Sequence, residues 1–452
     1  MVYDTLIKNG TLVTPITRYK ADIGILDGKI AFIGSIDEGV MAINTIDAKG
    51  KFIIPGAIDG HVHIHDPGIT HREDMEHCSM AAASGGVTTI LSMPLNIPPT
   101  TDIESFEFVK DAYEGRAYID YGIHCGATAD NTDILSDLWN KTGASAIKMF
   151  MNFSVAEFPF LEDKELYNSL KVVAENNGVA LIHAENNGII TSIEEEFMKE
   201  NRTDYMAHNL SHPKEAEIEA ITRALYFIEI TGAEAVILHV STAEGLERIH
   251  NAKEKGVKVW AESAPHLFTF IDEDMNKYGP YLKFTPVMHD AENKKRMWEL
   301  IGKGYVDTIA SDHSPYQREE KEQGINNIWK APNGIPGLET SLAVFLNGVS
   351  ENKLSLEDVV RMTSYNPSKI YGLYPKKGTF DIGADADIAV IDMDIEKKYT
   401  KPDIKTKCGW SPYENMTFKG WNVMTLLRGR VIYDNGSIIG SKGYGKYIPR
   451  IK

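Results

Sequence analysis

The central part of the chain alternates short apolar runs, rich in β-branched residues, with amphipathic stretches of helical length. The apolar runs predict strands at residues 52–58, 88–93, 118–125, 146–151, 179–183, 235–240, 257–261 and 308–311. The amphipathic stretches predict helices, for example at residues 163–177, 214–231, 242–255 and 291–303. Strands that alternate with helices pair in parallel, and eight such units indicate an α/β fold with a closed (β/α)8 barrel, the TIM barrel.

Both ends of the chain have a different pattern, in which short strands follow one another without helices between them. Near the N-terminus these strands fall at residues 5–8, 11–13, 23–26 and 29–33, with turns at Asn9-Gly10 and Asp27-Gly28. Near the C-terminus they fall at residues 386–392, 424–430 and 431–433. Neither end can bury a core alone. We therefore expect one small β-sandwich domain, formed by residues 1–54 and 376–452, beside a barrel of residues 55–375.

Composition narrows the class of protein. The 452 residues carry a formal net charge of −17, and because phosphate binding needs a basic face, this charge argues against a nucleic-acid partner. No apolar stretch reaches 18 residues, so no membrane span is expected, and the first residues lack the apolar run of a signal peptide. The cysteines, Cys78, Cys125 and Cys408, are far apart, which fits a reducing compartment. The expectation is a cytoplasmic protein.

Histidines and one aspartate stand at the predicted strand ends, where a barrel of this class carries its chemistry. His61 and His63 follow the first barrel strand, and side chains at i and i+2 of a strand lie on one face, so this pair can bind one metal ion. His183, His239 and Asp312 end the fifth, sixth and eighth strands. Taken singly, each histidine could be an ordinary core or rim residue, and Asp312 could cap a helix. Their shared level in the barrel favours a metal site.

Lys148 lies inside the apolar fourth strand, where a lysine must be neutral, be paired, or extend its amine to solvent. It could pair with a carboxylate at the barrel rim. Alternatively, its neutral amine could react with CO2 to form a carbamate, an anion able to bridge two metal ions. Together with the four histidines and the aspartate, it would then hold two divalent cations about 3.5–4 Å apart. Zinc suits these ligands, with manganese, iron or cobalt as alternatives.

Several segments resemble the cyclic amidohydrolases, the family of allantoinases, hydantoinases (dihydropyrimidinases) and dihydroorotases. They are PGAIDGHVH (55–63), IKMF (147–150), HAE (183–185), HVS (239–241), ESAPH (262–266), SDHSP (311–315) and GTFDIGADAD (378–387). The resemblance implies two metal ions, usually zinc, held by His61, His63, carboxylated Lys148, His183, His239 and Asp312. It also implies that a bridging hydroxide attacks a ring amide carbonyl. Asp312 would accept the proton of the hydroxide and pass it to the leaving ring nitrogen.

Three features bear on the substrate. Dihydroorotases typically have an arginine two positions after the His-x-His pair, whereas this chain has His65, a poor partner for a substrate carboxylate. Hydantoinases usually carry a tyrosine soon after the fourth-strand lysine, and the run MFMNF (149–153) has none. The segments SMPLN (92–96), NGIPGLE (333–339) and WSPY (410–413) resemble allantoinases, although Asp66 stands where allantoinases commonly have glutamate, and residues 201–213 look more hydantoinase-like.

We therefore expect ring opening of allantoin to allantoate, in ureide breakdown. A hydantoinase or dihydropyrimidinase is the alternative, and a dihydroorotase comes third. A catalytically inactive assembly homologue is disfavoured because all six ligand positions hold competent residue types. Members of this family are usually dimers or tetramers, so a homodimer or homotetramer is expected.

His266 and Asn333 are candidate substrate contacts, with loop stabilisation as the alternative for both. Thr285, which lies where family members place a substrate-contacting serine, and Asn96 are two further candidates. The charged run at residues 318–322 is expected to be a solvated loop or the start of a helix.

Overall fold

The computed structural model describes residues 2–37, 39–153 and 158–451, and every structural statement below concerns these residues. The strands, numbered along the chain, are β1 (Tyr3–Lys8), β2 (Thr11–Val13), β3 (Arg18–Lys20), β4 (Asp22–Leu26), β5 (Lys29–Gly34), β6 (Ala42–Asp47), β7 (Phe52–Pro55), β8 (Ala57–Val62), β9 (Val87–Ser92), β10 (Asp120–Ile123), β11 (Cys125–Gly126), β12 (Ile147–Phe150), β13 (Val179–His183), β14 (Glu234–Ile237), β15 (Val259–Ser263), β16 (Thr308–Ile309), β17 (Ile388–Lys398), β18 (Thr417–Leu427), β19 (Arg430–Asp434) and β20 (Ser437–Ile438).

The helices are α1 (Met75–Ser84), α2 (Ile103–Tyr113), α3 (Leu135–Thr142), α4 (Asp163–Glu175), α5 (Asn187–Lys199), α6 (Tyr205–Ser211), α7 (Lys214–Thr231), α8 (Ala243–Glu254), α9 (Pro265–Thr269), α10 (Met275–Tyr278), α11 (Ala291–Gly302), α12 (Arg318–Glu322), α13 (Ser341–Ser350), α14 (Leu356–Val360) and α15 (Asn366–Ile370). None of these helices is long and apolar enough to cross a membrane.

The strands from β8 to β16 form the predicted barrel. They pair in parallel in the orders β8-β9-β10 and β11 to β16, and only His124 separates β10 from β11. The barrel closes where Val62 bridges to His313 in parallel and the backbone N–H of His63 donates to the carbonyl of His313 at 2.8 Å. The fold class expected from the alternating pattern is thus confirmed.

The two chain ends form the predicted β-sandwich. One sheet has the order β5-β4-β1-β6 and the other has the order β20-β19-β18-β17-β7-β2-β3. Buried side chains from both sheets meet in one apolar core, for example Ile7 and Ile23 from the first sheet and Leu12, Ile53 and Ile388 from the second. Neither terminal segment completes this core without the other, because β7, from the N-terminal part, pairs with β17, from the C-terminal part.

The prediction of a single first barrel strand at residues 52–58 is wrong. The apolar run contains two strands, since Phe52–Pro55 pairs in the sandwich and the barrel strand begins at Ala57. The chain passes from one sheet to the other at Gly56, where a Cβ atom would lie 2.3 Å from Oγ1 of Thr88. Both sides of Gly56 are equally apolar, so the pattern alone does not reveal the change of sheet.

Helix predictions agree more closely with the structure. The helix expected at residues 214–231 is α7, which ends before Gly232 in the left-handed conformation (φ 73°) that glycine tolerates at a helix end. The charged run is correctly the start of a helix, α12, but it is not wholly solvated. Lys321, inside this run, is completely buried.

The last residues of the chain return to the barrel. Tyr447 bridges to Tyr121 in parallel, and the backbone N–H of Ile448 donates to the carbonyl of Tyr121 at 2.8 Å. Further along, the guanidinium of Arg450 lies 3.6 Å from the ring centroid of Trp139. These residues belong to the segment 376–452 that the sequence assigns to the small domain, and here Tyr447 and Ile448 lie beside barrel strand β10 and Arg450 lies beside helix α3. The domain division itself stays a prediction.

Candidate metal centre

The six predicted metal ligands all line one cavity at the carboxyl ends of the barrel strands. Lys148 lies within β12, His183 is the last residue of β13, and the others lie at or just beyond strand ends. The residues that line the cavity are His61, His63, Leu95, Lys148, Phe150, His183, His239, Phe284, Thr285, Asp312, Ser314, Asn333 and Gly334. Parallel pairing brings these strand ends to one level, which is why residues distant in sequence meet here.

The distances within the cluster suit shared cations. Oδ1 of Asp312 lies 3.2 Å from Nε2 of His61 and 3.5 Å from Nε2 of His63, and one ligand atom of each of the three lies within 4.8 Å of the others. The ring centroids of His183 and His239 are 4.5 Å apart, and those of His61 and His239 are 5.3 Å apart. The four imidazoles and the carboxylate therefore form one contiguous set of donors.

Buried carboxylates orient two of these histidines. Nδ1 of His61 lies 2.8 Å from Oε1 of Glu262, and Nε2 of His183 lies 2.7 Å from Oε2 of Glu185. A carboxylate on one ring nitrogen fixes the tautomer and leaves the opposite nitrogen free to bind a metal. Among the described residues, Nδ1 of His63 and Nδ1 of His239 are buried without a hydrogen-bond partner. Nitrogen and oxygen donors in this arrangement fit divalent cations such as zinc.

Burial controls the protonation of these groups. It lowers the pKa of Lys148 to about 7, and the carboxylates of Asp312 and Glu262 offset only part of that effect. Burial likewise lowers the pKa of His61, His63, His183 and His239, so the imidazoles are neutral, the form that binds metal. Burial alone would raise the pKa of Asp312, but the histidines around it lower that pKa well below the ordinary value.

The backbone is strained at two of the candidate ligands. His239 has a φ of 35° and Asp312 a φ of 49°, in the left-handed region that residues other than glycine rarely adopt. Such conformations cost about 1–3 kcal/mol each and concentrate at functional sites. Beside Asp312, the buried carboxylate of Asp59 accepts hydrogen bonds from the backbone N–H groups of Ser311 at 3.0 Å and His61 at 3.1 Å. Asp59 thus ties the first and last barrel strands together under the cluster.

The sequence pattern alone indicates no role for Asp59, Glu185 or Glu262. The segment HAE at residues 183–185 does contain a clue, because Glu185 stands two positions after His183, where strand geometry would put both side chains on one face. Glu262, by contrast, comes from β15 and reaches His61 on β8, a pairing that only the closed barrel reveals.

The structure brings two of the four predicted substrate contacts to the cavity. Thr285 and Asn333 line it, and the Thr285 hydroxyl donates to Oε2 of Glu185 at 2.6 Å. His266 is buried but does not line the cavity, and its ring centroid lies 4.3 Å from that of Phe284, which does. The amide of Asn96 donates to the carbonyl of Asp66 and to the Tyr113 hydroxyl, away from the lining residues. All four assignments stay predictions.

Two other clusters of potential ligands already hold side-chain cations. Asp120, Asp385 and Asp387 surround Lys377, whose Nζ lies 2.7 Å from Oδ2 of Asp120 and 3.4 Å from Oδ2 of Asp385. In the cluster of Glu73, Asp74 and His77, the ammonium of Lys407 lies 2.7 Å from Oδ2 of Asp74.

A barrel with this donor set at its strand ends defines a class of hydrolytic enzymes, and comparison with known proteins identifies the class. Residues 52–432 match the Amidohydrolase family. The chain is similar to an L-hydantoinase of Paenarthrobacter aurescens (37% identical over 452 residues, covering 99% of this chain and 98% of that protein). It is also similar to an allantoinase of Deinococcus radiodurans (34% identical, 98% of each chain).

Solved structures agree. The fold matches an L-hydantoinase (dihydropyrimidinase) from Arthrobacter aurescens with a TM-score of 0.97 at 37% identity, over 99% of this chain and 100% of that one. It matches a dihydropyrimidinase from Brevibacillus agri with a TM-score of 0.93 at 29% identity, over 99% and 98% of the two chains. The chain therefore belongs to the Amidohydrolase family, in its cyclic amidohydrolase group, and is a hydrolase of amide C–N bonds. The resemblance drawn from the sequence motifs is confirmed.

Proposed function

We propose that this chain opens the ring amide of hydantoin-type cyclic ureides at a centre of two divalent cations, for which zinc is the first candidate. The observation that carries the proposal is the meeting of four histidines, Asp312 and Lys148 around one cavity at the barrel's carboxyl end. When bound, two such cations acidify a shared water and polarise a substrate carbonyl. His61, His63, Lys148, His183, His239 and Asp312 are the residues that would hold them.

The environment of Lys148 supports its carboxylation. Carbamate formation joins the amine nitrogen to the carbon of CO2 and releases one proton, so it requires the neutral amine. Burial lowers the pKa of this lysine to about 7, against 10.5 for an ordinary lysine, which makes the neutral form available near neutral pH. The product is an anion with two oxygens, suited to bridge two cations.

Asp312 is the proposed general base and acid. Its carboxylate faces the cavity from the last barrel strand and remains ionised because the surrounding imidazoles hold its pKa low. It would take the proton of the nucleophilic water and deliver it to the ring nitrogen as the amide bond breaks. A ring nitrogen must be protonated to leave, because an amide anion is a poor leaving group.

The residues that line the cavity favour some ring substituents of the substrate over others. No arginine occurs among the described residues that line it, so a substrate carboxylate lacks a bidentate partner, and dihydroorotate is disfavoured. Thr285, Ser314 and Asn333 offer hydrogen-bonding groups, which suit the ureido group of allantoin. Allantoin, a ureido-substituted hydantoin, is therefore the first proposed substrate. Leu95, Phe150 and Phe284 line the same cavity and favour a second candidate, a hydantoin with an apolar substituent at C5.

The test is a comparison of kcat/KM for racemic allantoin, 5-benzylhydantoin, dihydrouracil and dihydroorotate, with protein loaded with zinc in bicarbonate buffer. A highest value for allantoin supports the first candidate, and a highest value for 5-benzylhydantoin supports the second. A preference for dihydroorotate, or turnover of none of the four rings, would contradict the proposal.

Assembly and location also stay predictions. A homodimer or homotetramer, expected from the family resemblance, can be tested by sedimentation velocity. A cytoplasmic location can be tested by cell fractionation.

A further inference from the structure

Lys321 is a completely buried lysine beside the cavity, and its three hydrogen bonds all go to main-chain carbonyls. Its Nζ donates to the carbonyls of Lys283 and Pro332 at 2.8 Å and of Gly334 at 3.0 Å. An ammonium group has three N–H donors and no acceptor, so these three carbonyls satisfy it completely. The side chain thus holds a segment of backbone through its terminal nitrogen.

That segment carries Asn333. Two of the carbonyls bound by Lys321 belong to the residues on either side of Asn333, and the third, that of Lys283, also accepts the backbone N–H of Gly334 at 3.0 Å. Nζ of Lys283 donates to the carbonyl of Ala331 at 2.6 Å. Two buried lysines therefore hold consecutive peptide groups of residues 331–334.

Residues 331–334 form a wall between two cavities. Asn333 and Gly334 line the inner cavity with the candidate metal ligands, whereas Ala331, Pro332 and Asn333 line an outer groove. At Gly334, φ is +139° and a Cβ atom would lie 2.5 Å from the carbonyl oxygen of Ser314, so the segment fits closely against the extension of the last barrel strand. Little freedom remains for Asn333 while these contacts persist.

We propose that Lys321 is a positioning residue for substrate binding. By fixing the peptide groups that flank Asn333, it sets the wall against which the ring substituent packs, and so controls KM and the choice between substrates. This inference rests on the proposed function, since Asn333 is a proposed substrate contact. A purely structural role would predict only a less stable protein whose folded fraction binds substrate normally.

The test uses Lys321→Met in the zinc-loaded, full-length protein, because methionine keeps the approximate length of the lysine and removes all three donors. We expect KM for the preferred ring to rise about tenfold or more, with kcat within about threefold of the parent protein and an unchanged zinc content. Backbone amides of residues 331–335 should exchange hydrogen faster. Lys283→Met, which removes one donor to the same segment, should shift KM in the same direction by less.

Two comparisons separate positioning from stability. Lys253→Met is the matched control, because Lys253 pairs with Asp307 at the N-terminal side of the last barrel strand, and its KM should equal that of the parent. In an Asn333→Ala background, Lys321→Met should add little further change in KM, since both changes then act on the same contact.

An unchanged KM and unchanged amide exchange in Lys321→Met would overturn the proposal. If that variant does not fold, an unchanged KM in Lys283→Met overturns it instead. If the parent protein opens none of the rings, the proposed function fails, and amide exchange at residues 331–335 still decides whether Lys321 holds the segment.

Discussion

Nε2 of His61 lies 3.2 Å from Oδ1 of Asp312, although His61 lies in the first strand of the barrel and Asp312 follows the last. This contact exists only when the barrel is closed, and Asp59 reinforces the closure by bonding the backbone N–H groups of both His61 and Ser311. The set of metal-binding side chains therefore assembles only in the closed barrel. A change that opens the barrel should also abolish catalysis.

Lys148→Ala should remove the proposed bridging anion and with it at least one metal ion per chain. We expect near-complete loss of ring opening, and partial recovery when acetate or propionate fills the space of the carbamate. Elemental analysis of the purified variant, together with turnover in the presence and absence of the carboxylic acid, provides the check. Normal metal content with normal activity would show that Lys148 has no bridging role.

Asp312→Asn should abolish the proton transfer while changing the shape of the site very little. General acid–base groups contribute about 10²–10⁴-fold, so kcat should fall by that order. Because Asp312 is also a candidate ligand, the zinc content must be measured on the same sample to separate the two roles. A variant with two bound ions and an undiminished kcat would refute the assignment of general base.

Glu262→Gln should weaken metal binding, although Glu262 is not itself one of the candidate metal ligands. Glutamine removes the carboxyl group that contacts Nδ1 of His61 and orients the ring, and loss of such a group typically costs 10–100-fold in metal affinity or activity. Competition with a zinc chelator measures the change. Glu234→Gln is the control, since Glu234 accepts a hydrogen bond from Nε1 of Trp260 at the N-terminal end of β14, the opposite end of the strands from the cavity. Equal zinc affinities in the two variants would contradict the role of Glu262.

Glu217→Gln, which changes a buried carboxyl that accepts the backbone N–H of Ser241, should have a pH-dependent effect on stability. Burial raises the pKa of Glu217 to about 7, whereas the unfolded chain has a pKa near the ordinary 4.5. Between these values the unfolded carboxyl ionises and the folded one does not, so stability falls as pH rises through this range, by up to about 3 kcal/mol. Glutamine cannot ionise and retains an acceptor for the Ser241 N–H. Relative to the parent, the variant should therefore gain stability between pH 5 and pH 8.

Denaturant unfolding of both proteins at pH 5 and pH 8, at equal ionic strength, measures this gain. A difference in unfolding free energy between variant and parent that is the same at the two pH values would mean that Glu217 has an ordinary pKa in the folded protein.

The sequence predicts the elements whose ends are encoded locally. Helix α7 has its expected bounds because proline precedes it and Gly232 ends it in a left-handed conformation. The metal ligands are predictable for a related reason, since five of the six stand at or just beyond the end of an apolar strand, Lys148 interrupts another, and the barrel brings strand ends together. The prediction for the first barrel strand begins too early because the apolar run continues through Gly56, where the chain changes sheets.

Contacts between distant residues could not be predicted from local pattern. Glu262 supports His61 only through the register of the closed barrel. Lys321 stands among charged neighbours in the run REEKE, which indicates a solvent-facing helix, yet three carbonyls from other segments surround its amine. The burial of Lys321 depends on the path of the loops that carry these carbonyls. No local periodicity in the sequence indicates that path.

The most direct test of a binuclear centre is a zinc titration of chelator-treated protein in bicarbonate buffer, followed by ring opening of the hydantoin that the parent protein turns over fastest. We expect no turnover without metal and a rise that reaches its maximum at two ions per chain, as a binuclear centre requires. Full activity in the metal-free protein would contradict it.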